Sequence, residues 1–388
     1  MNKKVVLGLM VGAMLAGAGY AEVPAVKTYP CHRIAGPITI DGKLDEAAWQ
    51  GLLEATGFFV LRTDSYPKAR QTSFRMGWDD QAVYVGIQCQ EPDTEKLLAL
   101  PQEKRGGWGG EIMELFFMPA LPDYRQFAVD VNGKVEFAST FVRTMTARKE
   151  VPRDGIQAAA SIGAGVWTLE IRFPFSCFDK PPQAGALWRF NIDRESALAG
   201  KAGEPGLTTW SYSETSFHDY YIYAGLQFLG STLNAADAAQ AAKKMNAVYV
   251  AEQPRLEAAD QRVAEMERRI AKATPVAWTE NTIADARYFA LPGILECYSS
   301  KPVTCNAARI VWNGHSYGSQ PKPADDFGLE YWDGRAWQLI FHEVANKNLT
   351  SFVTFPSLTT TRVRLTVFRD NHSEYMNVAA KLFDLAGE

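Results

Sequence analysis

Short segments of alternating apolar and polar residues run along most of the chain. Residues 82–90 form one such segment, and residues 126–131 and 134–138 form a pair around Asn132-Gly133. Alternation with a period of two is the pattern of a strand with one buried face, and Asn-Gly is typical of a tight hairpin turn. Many short strands at close spacing, with almost no helical periodicity, predict a β-sandwich.

The pattern changes in the middle of the chain and then returns. Residues 234–273 are rich in Ala, Glu, Arg and Lys, and Pro254 is predicted to break them into two helices. From residue 275 the strand-like alternation resumes. We therefore expect an all-β protein with two jelly-roll-like β-sandwich domains, 22–232 and 275–388, joined by a helical hairpin linker over 233–274.

The N-terminal residues have the pattern of a secretory signal. Lys3 and Lys4 precede an apolar run over residues 5–19, and the small residue Ala21 ends a cleavage motif. This predicts a signal peptide over 1–21 and a secreted or periplasmic protein. The apolar run is too short to span a bilayer, and no later segment has about 18 uncharged apolar residues. We therefore expect no integral membrane segment after signal cleavage.

The net charge of the chain argues against nucleic acid and anionic membranes as partners. Without Lys3 and Lys4 the 40 basic residues become 38, against 44 acidic ones, so the formal net charge of the mature chain is −6. An acidic protein is a poor ligand for nucleic acid and for anionic membranes.

The five cysteines include one candidate cross-link. Cys297 and Cys305 flank a Ser-Ser-Lys-Pro sequence typical of a turn, so they either form a disulfide across a hairpin in an oxidising compartment or remain free thiols. Cys31, Cys89 and Cys177 lie in strand-like segments and are expected to be buried thiols.

The most informative stretch is 106–118, a glycine-rich loop that carries Trp108 and continues into an apolar strand. Glu111 and Glu114 lie at the junction, and alternation sends them to opposite faces while Glu114 shares a face with Phe116. An unpaired carboxylate is costly to bury in such a strand. Glu114 therefore either pairs with a cation in a core strand or faces a cleft, where Trp108 would stack on a sugar and the carboxylate would accept its hydroxyls.

Two other elements supply candidate site residues. The polar, aromatic loop 210–219 contains Phe217 and His218, which either face Trp108 or pack as a cap on the core. Arg194 is either the cation that pairs with Glu114 or a donor to ligand hydroxyls.

Catalytic motifs are sparse. A glycosidase needs two carboxyl groups about 5 to 9 Å apart, and the opposite faces of Glu111 and Glu114 disfavour this role. The chain has no Gly-x-Ser-x-Gly motif and no phosphate-binding loop.

Metal and haem chemistry have weaker candidates. Oxygen ligands for calcium are offered by Asp79, Asp80, Asp123 and Asp130. A haem held between His218 and either Met113 or Met118 is a further hypothesis.

Residues 37–229 resemble the family 9 carbohydrate-binding modules of bacterial secreted enzymes. Five segments in the same order carry this resemblance: 40–49 (Ile-Asp-Gly-Lys-Leu-Asp-Glu-Ala-Ala-Trp), 77–86 (Gly-Trp-Asp-Asp-Gln-Ala-Val-Tyr-Val-Gly), 108–116 (Trp-x-x-Glu-x-x-Glu-Leu-Phe), 188–192 (Trp-x-Phe-Asn-Ile) and 210–229, with Ala-Gly-Leu-Gln-Phe near its end.

The resemblance implies a sugar-binding β-sandwich, often specific for glycan chain ends, with structural calcium in some members. It places Trp108 on the first of two sugar-stacking tryptophans and Glu114 on the carboxylate that reads hydroxyls. The second tryptophan corresponds to His218, beside Phe217, and an expected arginine corresponds to Ala128. The resemblance therefore implies an altered site.

Residues 290–388 are similar to discoidin, or coagulation-factor type C, modules, which are galactose-binding-like jelly rolls. The segments that carry this similarity are 301–304, 311–313, 327–337 and 362–365. No binding residue is transferred from it, because fold alone does not give function.

Together these patterns predict a secreted, non-catalytic protein that binds oligo- or polysaccharides, serves polysaccharide breakdown and requires no cofactor. The expected carbohydrate-binding residues are Trp108, Glu111, Glu114, Arg194, Phe217 and His218. The alternatives are a glycoside hydrolase that uses its own carboxylates, a haem-binding protein, and a structural protein of cell-surface interactions.

Overall fold

A computed structural model describes most of the chain after the predicted signal peptide, which lies outside the described residues. The described residues are 27–63, 65–121, 123–142, 147–202, 204–213, 215–283, 286–290, 292–312, 323–344, 346, 348–369 and 375–385.

The N-terminal half forms a 14-stranded sheet. Its strands are β1 (Thr28–Arg33), β2 (Glu54–Ala55), β3 (Phe59–Val60), β4 (Thr72–Trp78), β5 (Ala82–Gln90), β6 (Glu111–Ala120), β7 (Asp123–Asp130), β8 (Val135–Val142), β9 (Ala147–Glu150), β10 (Gln157–Gly163), β11 (Val166–Pro174), β12 (Leu187–Ser196), β13 (Leu207–Thr209) and β14 (Ala224–Phe228).

This sheet curls around a single core. Its main order is β10-β11-β5-β4-β1-β14-β12-β6-β7-β8-β9, and β1 joins the two halves by pairing in parallel with both β4 and β14. The curl brings β6 against β5, where the sulfur atoms of Cys89 and Met113 lie 3.6 Å apart. It also brings β6 against β11, where the rings of Phe117 and Phe173 lie 5.6 Å apart. The inward-facing residues of both halves thus share one apolar interior.

Four short α-helices lie in the described connections of this sheet, together with two 3-10 helices over Phe175–Cys177 and Tyr220–Ile222. The α-helices are α1 (Ala47–Gln50), α2 (Thr94–Ala99), α3 (Gln102–Arg105) and α4 (Ala197–Lys201). Helices α2 and α3 belong to the long connection between β5 and β6, which also carries the glycine-rich loop.

Two longer helices, α5 (Ala235–Met245) and α6 (Ala247–Ile270), follow the first sheet. The predicted break at Pro254 is wrong, because Pro254 lies inside α6. The break falls at Asn246, whose side chain donates to the Glu54 carbonyl at 2.9 Å and accepts from the Thr56 N–H at 3.0 Å. Tertiary hydrogen bonds to β2 therefore decide where the helix is interrupted.

The predicted helical hairpin is also wrong. A single residue, Asn246, separates α5 from α6, and an antiparallel helix pair needs a loop of about two to five residues. The Asn246 N–H donates to the Ala242 carbonyl, and its own carbonyl accepts from the Val250 N–H, both at 2.9 Å. Helical hydrogen bonding therefore continues through the junction. Within the described part of the chain, no helix is both long and apolar enough to span a membrane.

The C-terminal half forms an eight-stranded sheet in the main order β15-β22-β18-β21-β19-β20. Its strands are β15 (Thr274–Pro275), β16 (Glu280–Asn281), β17 (Ala286–Ala290), β18 (Gly293–Trp312), β19 (Asp326–Trp332), β20 (Trp337–Val344), β21 (Thr350–Arg369) and β22 (Tyr375–Asp384). Its core is centred on Trp312, Phe327 and Leu365, all fully buried. The expectation of a mostly β chain with helices between two strand-rich halves is confirmed.

The predicted Cys297–Cys305 disulfide is wrong. Both residues lie on the single long strand β18 and are free, buried thiols. The Cys297 thiol donates instead to Oδ1 of Asn281 at 3.1 Å. Burial raises the pKa of both thiols to about 12, which keeps them protonated and unreactive. Cys31, Cys89 and Cys177 are buried free thiols, as predicted.

Candidate functional site

Trp108 lies at the tip of the glycine-rich loop that leads into β6. Gly107 and Gly109 on either side have φ values of 73° and 84°, in the left-handed region that glycine adopts most easily. The Gly110 N–H donates to the Gly107 carbonyl at 3.0 Å and closes the turn. The indole is 54% exposed, and its only described ring contact is with Phe137, edge to face at 6.4 Å. The loop therefore presents a large apolar surface to solvent.

The two carboxylates after this loop lie on opposite faces of β6, as the alternation predicts. Glu111 points inward with Met113 and Leu115, whereas Glu114 shares the outer face with Phe116. The outer face includes the cross-strand partners of Glu114, which are Ala128 on β7 and Asp193 on β12.

Glu114 belongs to a buried acidic pair on this outer face. Its carboxyl group is 3% exposed and accepts a hydrogen bond from Nε2 of Gln126. Burial raises the pKa of Glu114 well above its usual range, and the neighbouring carboxyl of Glu195 raises it further. Burial also raises the pKa of Glu195, which is half-buried and connects the pair to solvent. The pair therefore retains a proton more strongly than exposed carboxyl groups do.

A third carboxyl group, Asp193, lies beside this pair and is fully buried. Asn191 Nδ2 donates to both of its oxygens, at 2.8 and 3.0 Å. Burial raises the pKa of Asp193 well above its usual range, opposed by a hydrogen bond from Thr209. Asp193 is thus part of the support beneath Glu114 rather than an exposed ligand group.

The structure corrects the expected roles of Glu111 and Arg194. Arg194 does not pair with Glu114; its Nη2 lies 2.9 Å from Oε2 of Glu91 and 3.2 Å from Oε2 of Glu111. Glu111 also accepts from the Ser196 hydroxyl at 2.8 Å. Both Arg194 and Glu111 are 1% exposed, so neither reaches a ligand on the surface. They form a structural ion pair on the inner face.

Phe217 and His218 lie on the outer face with Glu114. Phe217 is buried among aromatic residues, and His218 Nδ1 lies 2.8 Å from the Tyr124 hydroxyl. Burial lowers the pKa of His218, which favours the neutral form of the ring.

A row of rings connects the two predicted walls of the site. Centroid distances are 6.4 Å from Trp108 to Phe137, 6.2 Å from Phe137 to Phe141, and 5.5 Å from Phe141 to His218. Trp108 and His218 are therefore the two ends of one aromatic row on the sheet face that carries Glu114.

Several residues of this face are not among the predicted site residues. They are Phe137 and Phe141 on β8, Tyr124 and Gln126 on β7, and Glu195 on β12. The alternation of β8 was sufficient to place Phe137 and Phe141 on one face, because positions four apart in a strand point the same way. The contact of Glu195 with Glu114 depends on the pairing of β12 with β6, for which the sequence has no local signal.

Two of the four candidate calcium ligands have a structural role in turns. Asp79 accepts from the N–H groups of Gln81 and Ala82, and Asp130 accepts from those of Asn132 and Lys134, so both carboxylates close turns. Among the residues with described positions, no three His, Cys, Asp or Glu side chains come together in a group able to hold a metal ion.

Of the two ligand pairs proposed for haem, Met113 with His218 is wrong, because the two residues lie on opposite faces of the sheet. Met113 packs on the inner face against Cys89, whereas His218 contacts Phe116 on the outer face, 5.3 Å between ring centroids. Met118 lies on the outer face, but it is buried in the same packed cluster as Phe116 and Tyr124.

The raised pKa of Glu114 predicts a pH-dependent stability. The folded-state pKa lies above the unfolded value of about 4.3, so above that pH the folded chain binds more protons than the unfolded chain. The free energy of unfolding therefore falls as pH rises, by about 1.4 kcal/mol per pH unit for one proton. Glu114→Gln should reduce this slope, measured by urea denaturation between about pH 5 and about pH 8.

The matched control for this measurement is Glu150→Gln, on the exposed strand β9. This variant should keep the wild-type slope. An unchanged slope in Glu114→Gln would show that Glu114 is not a source of the pH dependence.

The sequence matches no protein-family model and no curated protein. Among solved structures, it is similar to a Bacteroides uniformis protein assigned provisionally to carbohydrate binding, at 15% identity over 53% of this chain and 100% of that chain, with a TM-score of 0.43. It is similar to a family 9 carbohydrate-binding module of Caldicellulosiruptor kristjanssonii in complex with cellotriose, at 14% identity over 53% of this chain and 94% of that chain, with a TM-score of 0.37.

A further similarity involves a smaller part of the chain. A family 32 module of Clostridium perfringens in complex with galactose is 15% identical over 25% of this chain and 69% of that chain, with a TM-score of 0.21. The structural neighbours are thus family 9-like over about half of the chain and family 32-like over about a quarter.

Proposed function

We propose that this chain is a non-catalytic carbohydrate-binding protein with two β-sandwich domains, 22–232 and 275–388, and a helical linker over 233–274. We further propose that the signal peptide 1–21 directs it to the periplasm or the outside of the cell, where it serves polysaccharide breakdown. The observation that supports sugar binding best is Trp108, an exposed indole at the end of an aromatic row beside a carboxyl pair.

The aromatic row matches the apolar side of a sugar. The C–H groups of a pyranose ring form a flat face that packs against aromatic rings, and tryptophan offers the largest such area. A hydrogen bond from the Gly110 N–H to the Gly107 carbonyl closes the turn that carries Trp108, and an ordered turn loses little conformational freedom on binding. In this proposal Trp108 is the stacking platform, and the Phe217–His218 end of the row is the opposite wall.

The carboxyl pair matches the polar side of a sugar. Glu195 is half-buried and lies in contact with Glu114. A pair that shares a proton offers both a donor and acceptors to neighbouring hydroxyls. Glu195 is therefore the group that reaches a sugar hydroxyl, and Glu114 supports it from beneath. No cofactor is required for this recognition.

The geometry argues against the glycoside hydrolase alternative. Glu111 and Glu114 lie on opposite faces of β6. Glu114 and Glu195 are in hydrogen-bond contact, whereas the two carboxyl groups of a glycosidase stand about 5 to 9 Å apart to leave room for the scissile bond and water. Glu111 and Glu114 therefore cannot flank one bond, and Glu114 and Glu195 lie too close together to do so.

A glycan-array screen of residues 22–388 tests the proposal, followed by affinity electrophoresis on the polysaccharides that score. Cello-oligosaccharides belong in the panel, because the similar Caldicellulosiruptor module is in complex with cellotriose. We expect retention on at least one glycan and no release of reducing ends. Absence of binding across the panel would refute the proposal, and turnover would favour the hydrolase.

A further inference from the structure

We infer that a buried ion-pair network holds the segment 92–110 in place, and that Arg194 and Arg70 are positioning residues for Trp108. The effect on ligand affinity rests on the proposed function, whereas the effect on the segment itself does not. Such a network would allow a long connection to present Trp108 on an ordered loop.

Arg194 joins the two ends of this segment. Glu91 follows the last residue of β5, and Glu111 is the first residue of β6. Nη2 of Arg194 donates to both, at 2.9 Å to Glu91 and 3.2 Å to Glu111. All three side chains are at most 1% exposed. One guanidinium group therefore closes the base of the connection that carries Trp108.

Arg70 extends the network into the segment. Its Nε donates to both carboxylate oxygens of Glu91, at 3.0 and 3.1 Å. Its two terminal nitrogens lie 2.5 Å from Asp93, just before α2, and 2.5 Å from Glu204, just after α4. Arg70 is 3% exposed, so these carboxylates rather than water compensate its positive charge. Arg70 thus holds the chain at Glu91, just before the segment, and at Asp93, near its start.

The far end of the segment is fixed against the β7–β8 hairpin. Asn132 Nδ2 donates to the Gln102 carbonyl at 3.1 Å. Gly106 lies so close to Asp130 that a Cβ atom there would overlap the carboxylate. The Trp108 turn therefore begins from a position held by both the network and the hairpin.

Desolvation makes the network a strong constraint. A buried charge without a partner is unfavourable, so the two ends of the segment cannot separate without leaving Glu91 or Glu111 short of its cation, and Asp93 at the start of the segment is held by Arg70. A platform that is already ordered loses little entropy when a ligand binds. Weakening the network should therefore loosen the segment and lower ligand affinity, although no network residue touches the ligand.

Glu111→Gln tests this inference without removing Arg194, which keeps Glu91 as a partner. Hydrogen exchange measured by mass spectrometry should be at least tenfold faster over residues 92–110, with β4 and β14 unchanged. Affinity for the glycan identified by the array should fall at least tenfold. The fluorine NMR signal of 5-fluorotryptophan at Trp108, assigned with Trp108→Phe, should shift or broaden.

Glu170→Gln is the matched control. Glu170 is another fully buried carboxylate, which accepts from Trp49 Nε1 and from the N–H groups of Asp41 and Gly42. This variant should leave the exchange of residues 92–110 and the Trp108 signal as in the wild type.

The two proposals fail in different ways. If the wild type binds no glycan, the proposed function fails, and the exchange and fluorine measurements still decide whether the network holds the segment. Unchanged exchange in Glu111→Gln would overturn the inference. Faster exchange with unchanged affinity would overturn the positioning role, because the loosened platform would bind equally well.

Discussion

Replacing Arg194 by methionine is expected to lower the free energy of unfolding by about 3 to 5 kcal/mol, because the change leaves the buried Glu111 carboxylate without a cation and removes one of the two arginines that pair with Glu91. Arg194 pairs with Glu91 and Glu111 and also donates to the Gln90 carbonyl at 2.9 Å. All of these groups lie in the interior, where water cannot replace the lost partner. Urea denaturation at neutral pH, with a test for two-state unfolding, measures the loss.

The control for this prediction is Arg309→Met. Arg309 pairs with Glu267 at 2.8 Å, but the two side chains are 34% and 42% exposed. Solvent screens such a pair, so the expected loss is about 1 kcal/mol or less. Equal losses in Arg194→Met and Arg309→Met would contradict the view that burial makes the Arg194 network strong.

Replacing Trp108 by alanine is expected to weaken glycan binding by about 2 kcal/mol or more, about 30-fold in affinity, as at other tryptophan hot spots. The exposed indole contributes little to the core, so the free energy of unfolding should change by about 0.5 kcal/mol or less. Affinity electrophoresis measures the first effect, and urea denaturation measures the second. Trp108→Phe should retain part of the affinity, because a smaller flat ring remains.

Tyr298→Ala is the matched control for Trp108. Tyr298 is a 41% exposed aromatic residue on β18 of the second sheet. Its removal should leave retention on the glycan unchanged if the Trp108 face is the binding site. Full retention of Trp108→Ala on the glycan would refute the assignment of Trp108 as the platform. A loss of retention in Tyr298→Ala would indicate a binding site on the second sheet.

Local patterns were sufficient for much of the fold. Alternation in residues 112–117 placed Glu114 and Phe116 on one face and Met113 on the other, and the structure confirms this. Asn132-Gly133 correctly marked the turn between β7 and β8. These signals succeed because side-chain direction in a strand and backbone conformation in a tight turn depend on residues adjacent in sequence.

Other features depended on contacts between distant residues. The helix interruption falls at Asn246, because its side chain bonds to Glu54 and Thr56. Proline propensity alone pointed to Pro254, yet α6 continues through it.

In the candidate site, too, some features follow from local sequence and others from contacts between distant residues. The sequence by itself determined that Trp108 follows a glycine turn and that Glu111 and Glu114 face opposite ways, since both properties are local. Only the tertiary structure decided which face is interior and which partner each carboxylate meets. Strand pairing brings Arg194 to Glu111 and places Glu195 beside Glu114, and such pairing depends on register between strands about 80 residues apart. A charge becomes an ion pair or an exposed ligand group according to its neighbours in space, which no local pattern specifies.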